Sequence, residues 1–304
     1  MDRLEAWTIF VAVAEGGSFA DAARRLGRSP AAVTRAVAAL EHHLSSRLLN
    51  RTTRSVALTD AGARYLDGCR RILSEFEDLD ASATGERQQP RGLLNVTAPV
   101  MFGRLHVFPI VSGFLGKYPD VDVRLLLLDR VVSLVDEGLD VGIRLGHLPD
   151  SSLRAIRVGH VRRAVYASPD YLARHGTPQT PQDLGNHGCI ACSAVTAVPD
   201  RWSFEREQRS FAVAVKPRLI VNTTDAAIDA AVAGQGLTCV LSYQVDDHMA
   251  AGRLRRVLVE YEPPSIPIHV LHPAGRYLSP KVRLFIDDAV AALRQKFGAM
   301  SGAC

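Results

Sequence analysis

Residues 17–62 read GSFADAARRLGRSPAAVTRAVAALEHHLSSRLLNRTTRSVALTDAG, and this stretch decides the fold of the N-terminal part of the chain. The pair Gly17-Ser18 is expected to end one helix and open a second, which Gly27 closes. Ser29 then has the place of an N-cap, and Pro30 that of the first residue of a third helix. Two short helices joined by a tight turn that contains glycine form a helix-turn-helix unit.

The third helix is predicted to have one buried and one exposed face. Its apolar residues share one side because they follow one another at helical spacings; they are Val33, Val37, Leu40 and Leu44. The opposite side begins with short polar groups, a methyl group and one long cation, and such groups suit the reading of base edges in a major groove. The candidate base-reading residues are Ser29, Pro30, Ala31, Thr34 and Arg35.

Positive charge is concentrated in the same stretch. Between Arg24 and Arg54 there are seven arginines and one acid, Glu41, whereas the whole chain of 304 residues has a formal net charge of only +4. A concentrated basic surface favours a polyanionic partner such as DNA. The alternative is a small helical domain with a solvated basic face. We favour the DNA-binding interpretation because the helix signals, the charge and the reading face coincide.

The composition is that of a globular protein, with 47% hydrophobic and 22% charged residues, and the length suffices for two or three domains. The longest apolar runs are too short to span a membrane. The first residues, MDRLEAW, lack the charged start and apolar core of a signal peptide, so we expect a cytoplasmic protein. The cysteines, an odd number, are then expected to be reduced thiols; they are Cys69, Cys189, Cys192, Cys239 and Cys304.

A long helix is expected from Thr59, as N-cap, to about Thr84. Within it, apolar residues step by four and three, which gives an a/d seam almost three heptads long. We favour self-association through this seam over the alternative, an amphipathic helix packed on its own domain. The predicted dimerisation residues are Tyr65, Cys69, Ile72, Phe76 and Leu79, with Ala83 at the end of the seam.

Beyond a polar segment bounded by Gly85 and Gly92, which is typical of a linker, strand-like and helical runs alternate. The first unit is predicted to contain strands at 93–97, 121–128 and 141–145, a helix at 102–117 kinked by Pro109, and a short helix at 131–137. The second has strands at 161–167, 189–193, 211–221 and 237–241, and helices at 169–174 and 224–233. The tail, a strand at 266–271 and a helix at 279–297, is expected to return to the first unit. This alternation predicts open α/β sheets covered on both faces.

The N-terminal stretch resembles the DNA-binding domain of LysR-type transcriptional regulators. The resemblance rests on Phe10, Gly17-Ser18-Phe19, Ala22-Ala23, Leu26, Ser29-Pro30-Ala31-Ala32-Val33, Leu40-Glu41, Leu48-Leu49-Asn50-Arg51 and Leu58-Thr59-Asp60-Ala61-Gly62. Ser45 departs from it, because the family usually has glycine there. The resemblance implies a two-stranded wing at 47–59, with Arg47, Arg51 and Arg54 facing the DNA backbone or minor groove, and dimerisation through the long helix.

Residues 92–297 are similar to the effector-binding domain of the same family, a two-lobed α/β fold like that of periplasmic binding proteins. The markers are Thr97-Ala98-Pro99, Phe114, Tyr118-Pro119, Leu134-Val135, Glu137-Gly138-Leu139-Asp140, Ile143-Arg144-Leu145-Gly146, Ser168-Pro169 and Gly234-Gln235-Gly236-Leu237. The resemblance implies a winged helix-turn-helix domain at 1–59, a dimerisation helix and hinge at 60–91, and a regulatory domain at 92–304. Its lobe 1 would comprise about 92–160 and 267–297, and lobe 2 about 161–266.

A candidate effector site follows from the predicted sheets, because ligands of open α/β sheets bind beyond the carboxyl ends of strands, near helix N-termini. Free backbone N–H groups near 100–102 are expected to hold an anion or a carbonyl. Arg144 would pair with a carboxylate; a salt bridge between the lobes is an equal alternative. Thr224 is somewhat more readily a helix cap than a ligand-binding residue. The candidate effector-binding residues are Thr97, Pro99, Val100, Met101, Phe102, Arg144, Ser193 and Asn222.

Enzymatic and metal chemistry find little support in the sequence. The motif CIAC at 189–192 has redox spacing, but in a strand residues three apart point to opposite faces. Two isolated cysteines also make no four-ligand zinc site. We find no Gly-rich phosphate loop, HExxH pair or nucleophile elbow, so neither catalytic residues nor a resident cofactor or metal are expected.

The combined prediction is a cytoplasmic, sequence-specific DNA-binding transcriptional regulator controlled by a small-molecule effector, with a winged N-terminal domain and a two-lobed α/β domain. Its expected partners are a double-stranded DNA operator, an anionic or carbonyl-bearing effector, further copies of itself as homodimer or homotetramer, and RNA polymerase. The alternatives are a small-molecule-binding protein whose N-terminal helices serve only assembly, and a cysteine-dependent catalyst.

Overall fold

The computed structural model describes residues 2–51, 56–83, 89–146, 148, 153–193, 198–274 and 278–298. The chain divides into two compact units. The first comprises Met1–Leu93 with the short segments Asp120–Asp122 and Leu278–Lys281, and the second holds the rest. Among the described helices, none is both long enough and apolar enough to span a membrane.

The first unit contains three helices, a two-stranded wing and a long helix. These elements are α1 Arg3–Gly16, α2 Phe19–Arg25, α3 Pro30–His43, β1 Leu49–Arg51, β2 Val56–Leu58 and α4 Asp60–Ala83. Each predicted helix start is confirmed by its cap. The Ser18 hydroxyl accepts from the Asp21 amide at 3.4 Å, that of Ser29 from Ala32 at 3.2 Å, and that of Thr59 from Gly62 at 2.9 Å.

The core of this unit includes the first turns of α4. Leu66 and Cys69 are buried among residues of α1 and α3, and the Trp7 indole donates a 2.7 Å hydrogen bond to the Tyr65 hydroxyl. The prediction that Tyr65 and Cys69 lie in a dimer seam is therefore wrong, because both pack in their own domain. For this part of the helix the alternative, packing on its own domain, is correct.

The second unit is built on two five-stranded sheets. The first sheet comprises β3 Gly92–Ala98, β4 Val121–Leu127, β5 Val141–Leu145, β6 Leu153–Val161 and β14 Ile266–Pro273, in the order β4-β3-β5-β14-β6. The second comprises β7 Arg163–Ala167, β8 Cys189–Cys192, β11 Pro217–Val221, β12 Leu237–Leu241 and β13 Arg255–Val257, in the order β11-β8-β12-β7-β13. A hairpin of β9 Arg201–Arg206 and β10 Arg209–Ala214 adds a separate pair. As predicted, the tail returns to the first sheet, where β14 pairs antiparallel with both β5 and β6.

Helices cover these sheets. They are α5 Val100–Phe102, α6 Phe108–Lys117, α7 Pro169–His175, α8 Thr224–Val232, α9 Asp246–Ala250 and α10 Pro280–Phe297. A π-helical segment, Gly103–Val107, joins α5 to α6. Pro109 has no N–H to donate to the preceding turn, and the wide π turn stands where the sequence predicted a kink.

Two predicted elements differ in the structure. The segment 131–137 is not a helix but a hydrogen-bonded turn, in which the Leu139 amide donates to the Leu134 carbonyl at 2.8 Å. Gly138, with φ of 65°, ends the turn before a second helical turn forms.

The predicted strand at 211–221 is divided into β10 and β11. The Val215 side chain is buried, and its amide donates to the Asp200 carbonyl at 2.8 Å, which is the last contact in the register of the hairpin. Pro217 then begins β11, a first-residue position that tolerates a missing N–H. Strand β9 was not anticipated from the sequence.

Candidate DNA-binding and effector-binding sites

The exposed side of α3 carries the predicted base-reading residues. Their side chains are all exposed; they are Ser29, Pro30, Ala31, Thr34 and Arg35. The predicted inward residues Val33, Val37 and Leu40 are no more than 3% exposed. The Thr34 hydroxyl donates its proton to the Pro30 carbonyl at 2.9 Å. The hydroxyl oxygen, as an acceptor, and the methyl group of Thr34 therefore remain available on the exposed face.

Not all the arginines of the basic stretch are available to DNA. Arg24 forms an ion pair with Asp21 at 2.9 Å, and Arg28 forms one with Glu5 at 2.7 Å. Both acids lie outside the basic stretch. Arg35 and Arg47 are exposed, and neither makes an ion pair with a described residue. Available cations are therefore found on α3 and at the entry to the wing. Arg51 ends β1, but its side chain and the whole of Arg54 lie outside the described residues.

The predicted wing is confirmed as an antiparallel pair, with Leu49 opposite Leu58 and Arg51 opposite Val56. Two contacts fix its base to the start of α4. The Thr59 hydroxyl donates to the Arg47 carbonyl at 2.8 Å. A Cβ on Gly62 would lie 1.9 Å from the Leu48 carbonyl oxygen, so only glycine fits there.

Ser45, the departure from the family pattern, has a left-handed backbone. Its φ is 49°, and its amide donates to the His42 carbonyl at 3.1 Å, in the manner of a helix C-cap. This conformation favours glycine, which explains the family preference. Ser45 adopts this left-handed conformation at the end of α3, and its side chain makes the backbone strained there.

The second half of the predicted seam is exposed. Ile72 and Phe76 lie four residues apart on α4 and are 39% and 43% exposed. Both therefore share a helix face that is open to a partner. Leu79 belongs to α4, but its side chain lies outside the description.

Thr97 combines complete burial with an unpaired hydroxyl. It is 0% exposed, and its Oγ1 has no hydrogen-bond partner among the described residues. Its register partner is Gly142 on the parallel strand β5, where an added Cβ would lie 3.0 Å from Leu134 and 3.6 Å from Thr97. Buried hydroxyls without a partner are uncommon and call for an unseen water or ligand.

The start of the helical run 100–117 is occupied by an acid. The Val100 amide donates to Asp129 Oδ1 at 3.0 Å. The prediction that the amides near 100–102 are free is therefore wrong for Val100. Asp129 was missed because it follows β4 in sequence, while the amide of its neighbour Leu128 donates to the Ala98 carbonyl at 2.9 Å and brings it beside the end of β3.

The predicted apolar lining divides into two groups. Pro99 is partly buried, Val100 is 43% exposed, and Met101 packs against a cluster on the second sheet that includes Tyr166 and Ile190. These three residues remain candidates for contact with an effector.

Phe102 does not remain such a candidate. It is 0% exposed, and its ring packs against His106, Tyr243 and Phe297 at centroid distances of 5.0, 5.1 and 5.5 Å. The prediction that Phe102 contacts an effector is thus corrected, because the ring is enclosed in an aromatic cluster.

The aromatic cluster encloses a histidine. His106 lies in the π-helical segment, and its Nε2 has no partner among the described residues. Burial, and to a smaller degree the charge of Lys296, lowers the pKa of His106 to about 4. The imidazole is therefore neutral at physiological pH.

Arg144 has an incomplete set of partners. One guanidinium nitrogen donates to the Ile143 carbonyl at 3.1 Å, and the buried Nη2 has none among the described residues. Burial lowers the pKa of the Arg144 guanidinium, and the nearby Glu137 opposes that effect. The alternative, a salt bridge of Arg144 itself between the lobes, is not found, because Arg144 forms no ion pair with any described residue.

The second-sheet candidates lie at strand ends. Ser193 is exposed, with its hydroxyl donating to the Val221 carbonyl at 3.3 Å, and Asn222 is exposed. Thr223, rather than Thr224, is the cap of α8, because its hydroxyl accepts from the Ala226 amide at 3.4 Å.

An ion pair joins the two helices that begin beside these candidates. Arg104, in the π-helical segment, approaches Asp225 in the first turn of α8 to 3.4 Å. Both side chains are more than half exposed, so the pair stabilises the arrangement weakly.

The described cysteines of the second unit are free thiols, of which Cys189 and Cys192 are buried and Cys239 is partly buried. Burial raises the pKa of Cys189 to about 12 and that of Cys239 to about 11, which disfavours the reactive thiolate. Cys189 and Cys192 are both free. Among the described residues no group of three metal-ligating side chains occurs.

Comparison with known proteins covers almost the whole chain. Residues 4–63 match the family described as bacterial regulatory helix-turn-helix protein, lysR family, and residues 87–294 match the LysR substrate binding domain. An HTH-type transcriptional repressor of Pseudomonas aeruginosa (strain UCBPP-PA14) is 36% identical over 288 residues, which are 94% of this chain and 91% of that protein. The HTH-type transcriptional regulator CrgA of Neisseria meningitidis serogroup B is 31% identical over 95% of this chain and 96% of its own length.

Solved structures give the same result. The structure of CrgA, a LysR-type transcriptional regulator from Neisseria meningitidis, has a TM-score of 0.61 and 30% identity, covering 95% of this chain and 98% of that chain. The full-length Vibrio cholerae virulence activator AphB has a TM-score of 0.61 and 27% identity, covering 96% of this chain and 99% of that chain. The chain therefore belongs to the LysR family of transcriptional regulators, with a helix-turn-helix domain that binds DNA and a second domain that binds a small-molecule effector.

Proposed function

We propose that this regulator acts in the cytoplasm and reads its operator through the N-terminal half of α3, with Thr34 and Arg35 at the base edges. The observation that carries the proposal is the exposed face of α3, where an unpaired arginine stands beside a threonine methyl group and oxygen. Arginine recognises guanine through two hydrogen bonds, and a methyl group packs on that of thymine. Arg47 and the wing residues Arg51 and Arg54 supply phosphate contacts.

The active species is a dimer, or a tetramer built from dimers, joined through the exposed face of α4 that carries Ile72 and Phe76. Exposed apolar groups at this spacing gain free energy when a second copy covers them. A dimer presents two copies of α3, so the operator is expected to be roughly palindromic. RNA polymerase is a further partner in this scheme.

The effector binds beyond the end of β3, where Thr97 supplies a hydroxyl and Pro99, Val100 and Met101 an apolar wall. The buried, unpaired Oγ1 of Thr97 supports this position. Arg144, Ser193 and Asn222 are the remaining candidates around it. Binding biases two arrangements of the assembly and so changes how the DNA-binding domains engage the operator. Neither catalysis nor a resident cofactor is part of the proposal.

Selection from random duplexes tests the DNA-binding part. The full-length chain is expected to enrich sequences with two related half-sites about one helical turn, roughly 10 base pairs, apart. Arg35→Ala should lose roughly 1–3 kcal/mol of discrimination at one base pair per half-site. Arg35→Lys is the matched control, because it keeps the charge but not the bidentate geometry.

The same experiment separates the proposal from its alternative, a small-molecule-binding protein whose N-terminal helices serve only assembly. Such a protein would show no salt-dependent affinity for duplex DNA and no enriched sequence. An unaltered preferred sequence for Arg35→Ala would contradict the role given to that residue.

A further inference from the structure

One carboxylate oxygen of α3 accepts hydrogen bonds from two amides at the entry to the wing. Glu41 Oε1 accepts a hydrogen bond from the Leu48 amide at 2.9 Å and another from the Leu49 amide at 3.0 Å. These consecutive amides belong to the segment that enters β1. Hydrogen bonds to a charged acceptor are about twice as strong as neutral ones.

The two amides need such an acceptor because of where the chain runs. Leu48 and Leu49 are 1% and 2% exposed, so water does not serve their backbone groups. The Leu48 carbonyl in turn accepts the Thr59 amide at 3.0 Å. Both polar groups of the Leu48 backbone are thus hydrogen-bonded. The amide donates to Glu41 of α3, and the carbonyl accepts from Thr59, which caps α4.

The negative charge of Glu41 lies in a basic stretch that is expected to bind DNA. It is the one acid between Arg24 and Arg54, a stretch with seven arginines. A carboxylate in a surface that approaches phosphates lowers the affinity for DNA, so electrostatics alone predicts that its removal tightens binding.

We propose that Glu41 is a positioning residue for DNA binding, which fixes the arginine-bearing wing relative to α3 so that both engage one duplex. The inference rests on the proposed function, because it takes Arg47 and Arg51 as phosphate contacts. Glu41 contacts no DNA itself; it acts through the backbone of Leu48 and Leu49.

The experiment compares Glu41→Gln and Glu41→Ala in the full-length chain, on a mixed-sequence duplex over a series of salt concentrations. Positioning predicts that both variants bind more weakly than wild type, Ala more so than Gln, because the Gln carbonyl still accepts from the two amides. The slope of log Kobs against log salt should fall by roughly 0.9 for each phosphate contact that is lost. Electrostatics alone predicts the opposite: both variants bind more tightly, and equally so.

Asp21→Asn is the matched control, because it removes an acid of the same unit that pairs with Arg24 and forms no hydrogen bond or ion pair with the described part of the wing. It should bind DNA at least as tightly as wild type, with an undiminished salt slope. Far-ultraviolet circular dichroism at the assay temperature checks that each variant is folded. If Glu41→Ala is unfolded, the near-isosteric Glu41→Gln carries the comparison.

Two outcomes would overturn the inference, and they differ. If wild type binds DNA and both Glu41 variants behave like Asp21→Asn, the positioning role fails while the DNA-binding function stands. If wild type binds no duplex at any salt concentration, the proposed function itself fails and the inference with it.

Discussion

Acid sensitivity of the second unit should depend on His106. The unfolded chain binds a proton at this imidazole with a pKa near 6.5, whereas burial in the aromatic cluster lowers its pKa in the folded protein to about 4. Between these two values the unfolded state binds more protons than the folded state. The free energy of unfolding therefore falls as the pH falls from 6.5 to 4, and His106 has no such effect above that window.

The magnitude follows from the two pKa values. Each unit of difference corresponds to about 1.4 kcal/mol, so the full loss approaches roughly 3 kcal/mol below pH 4 and is about 2 kcal/mol at pH 5. His106 is only 8% exposed, so solvent screens this effect little. A loss of this size is a large fraction of the stability of an ordinary domain.

Urea unfolding at pH 7.5 and pH 5.0 measures the effect, with His106→Phe as the variant. Phenylalanine keeps a ring in the cluster and cannot titrate. The chain has two tryptophans, and in a Trp7→Phe background the buried Trp202 reports on the second unit alone. We expect the difference in unfolding free energy between the two pH values to shrink by about 2 kcal/mol in His106→Phe.

His160→Phe serves as the control, because its imidazole lies on β6 in a half-buried position outside the cluster. It should alter the difference between the two pH values far less. An identical difference for wild type and His106→Phe would refute the reasoning, since the buried imidazole would then bind protons equally in both states.

Three further predictions concern the two units. Ser45→Gly should raise the stability of the first unit by about 1 kcal/mol by removing left-handed strain, as measured by thermal unfolding; an unchanged or lower melting temperature would contradict the strain. Joint replacement of Ile72 and Phe76 by Asp should split the dimer in sedimentation, because like charges would meet in the seam; a variant that stays dimeric would place the association elsewhere. Thr97→Val should abolish the response to the effector and leave operator affinity unchanged, and a normal response would move the pocket away from β3.

The helix boundaries of the first unit could be predicted because their signals are local. Ser18, Ser29 and Thr59 each cap the helix that follows them in sequence, and each hydroxyl accepts from the amide three residues onward. Such contacts depend on few residues, so a short stretch of sequence contains all the information that they need. The basic stretch was predicted for the same reason, although its pairing with Glu5 and Asp21 was not.

The apolar face of α4 was predicted, but a second copy was the wrong partner for its first part, Tyr65 and Cys69. A spacing of four and three identifies a buried side of a helix, whether a second copy or the helix's own domain covers it. Tyr65 and Cys69 are covered by α1, and Ile72 and Phe76 are not. The step from covered to exposed residues falls within one continuous sequence pattern. Its position depends on where Trp7 and its neighbours lie in three dimensions, which the pattern does not contain.

The proposed effector site shows the same limit in its chemistry. Strand ends and helix starts predicted a site around Thr97, but Asp129 follows another strand and already accepts the Val100 amide. The carboxylate of an effector at this helix start would therefore lie beside the like charge of Asp129, whereas the sequence alone predicted free amides. An effector that suits both groups carries a hydrogen-bond donor toward Asp129 and a polar group for the unpaired Thr97 hydroxyl. We therefore expect a hydroxyl- or amide-bearing compound at this point, and an acid only where its carboxylate reaches Arg144 instead.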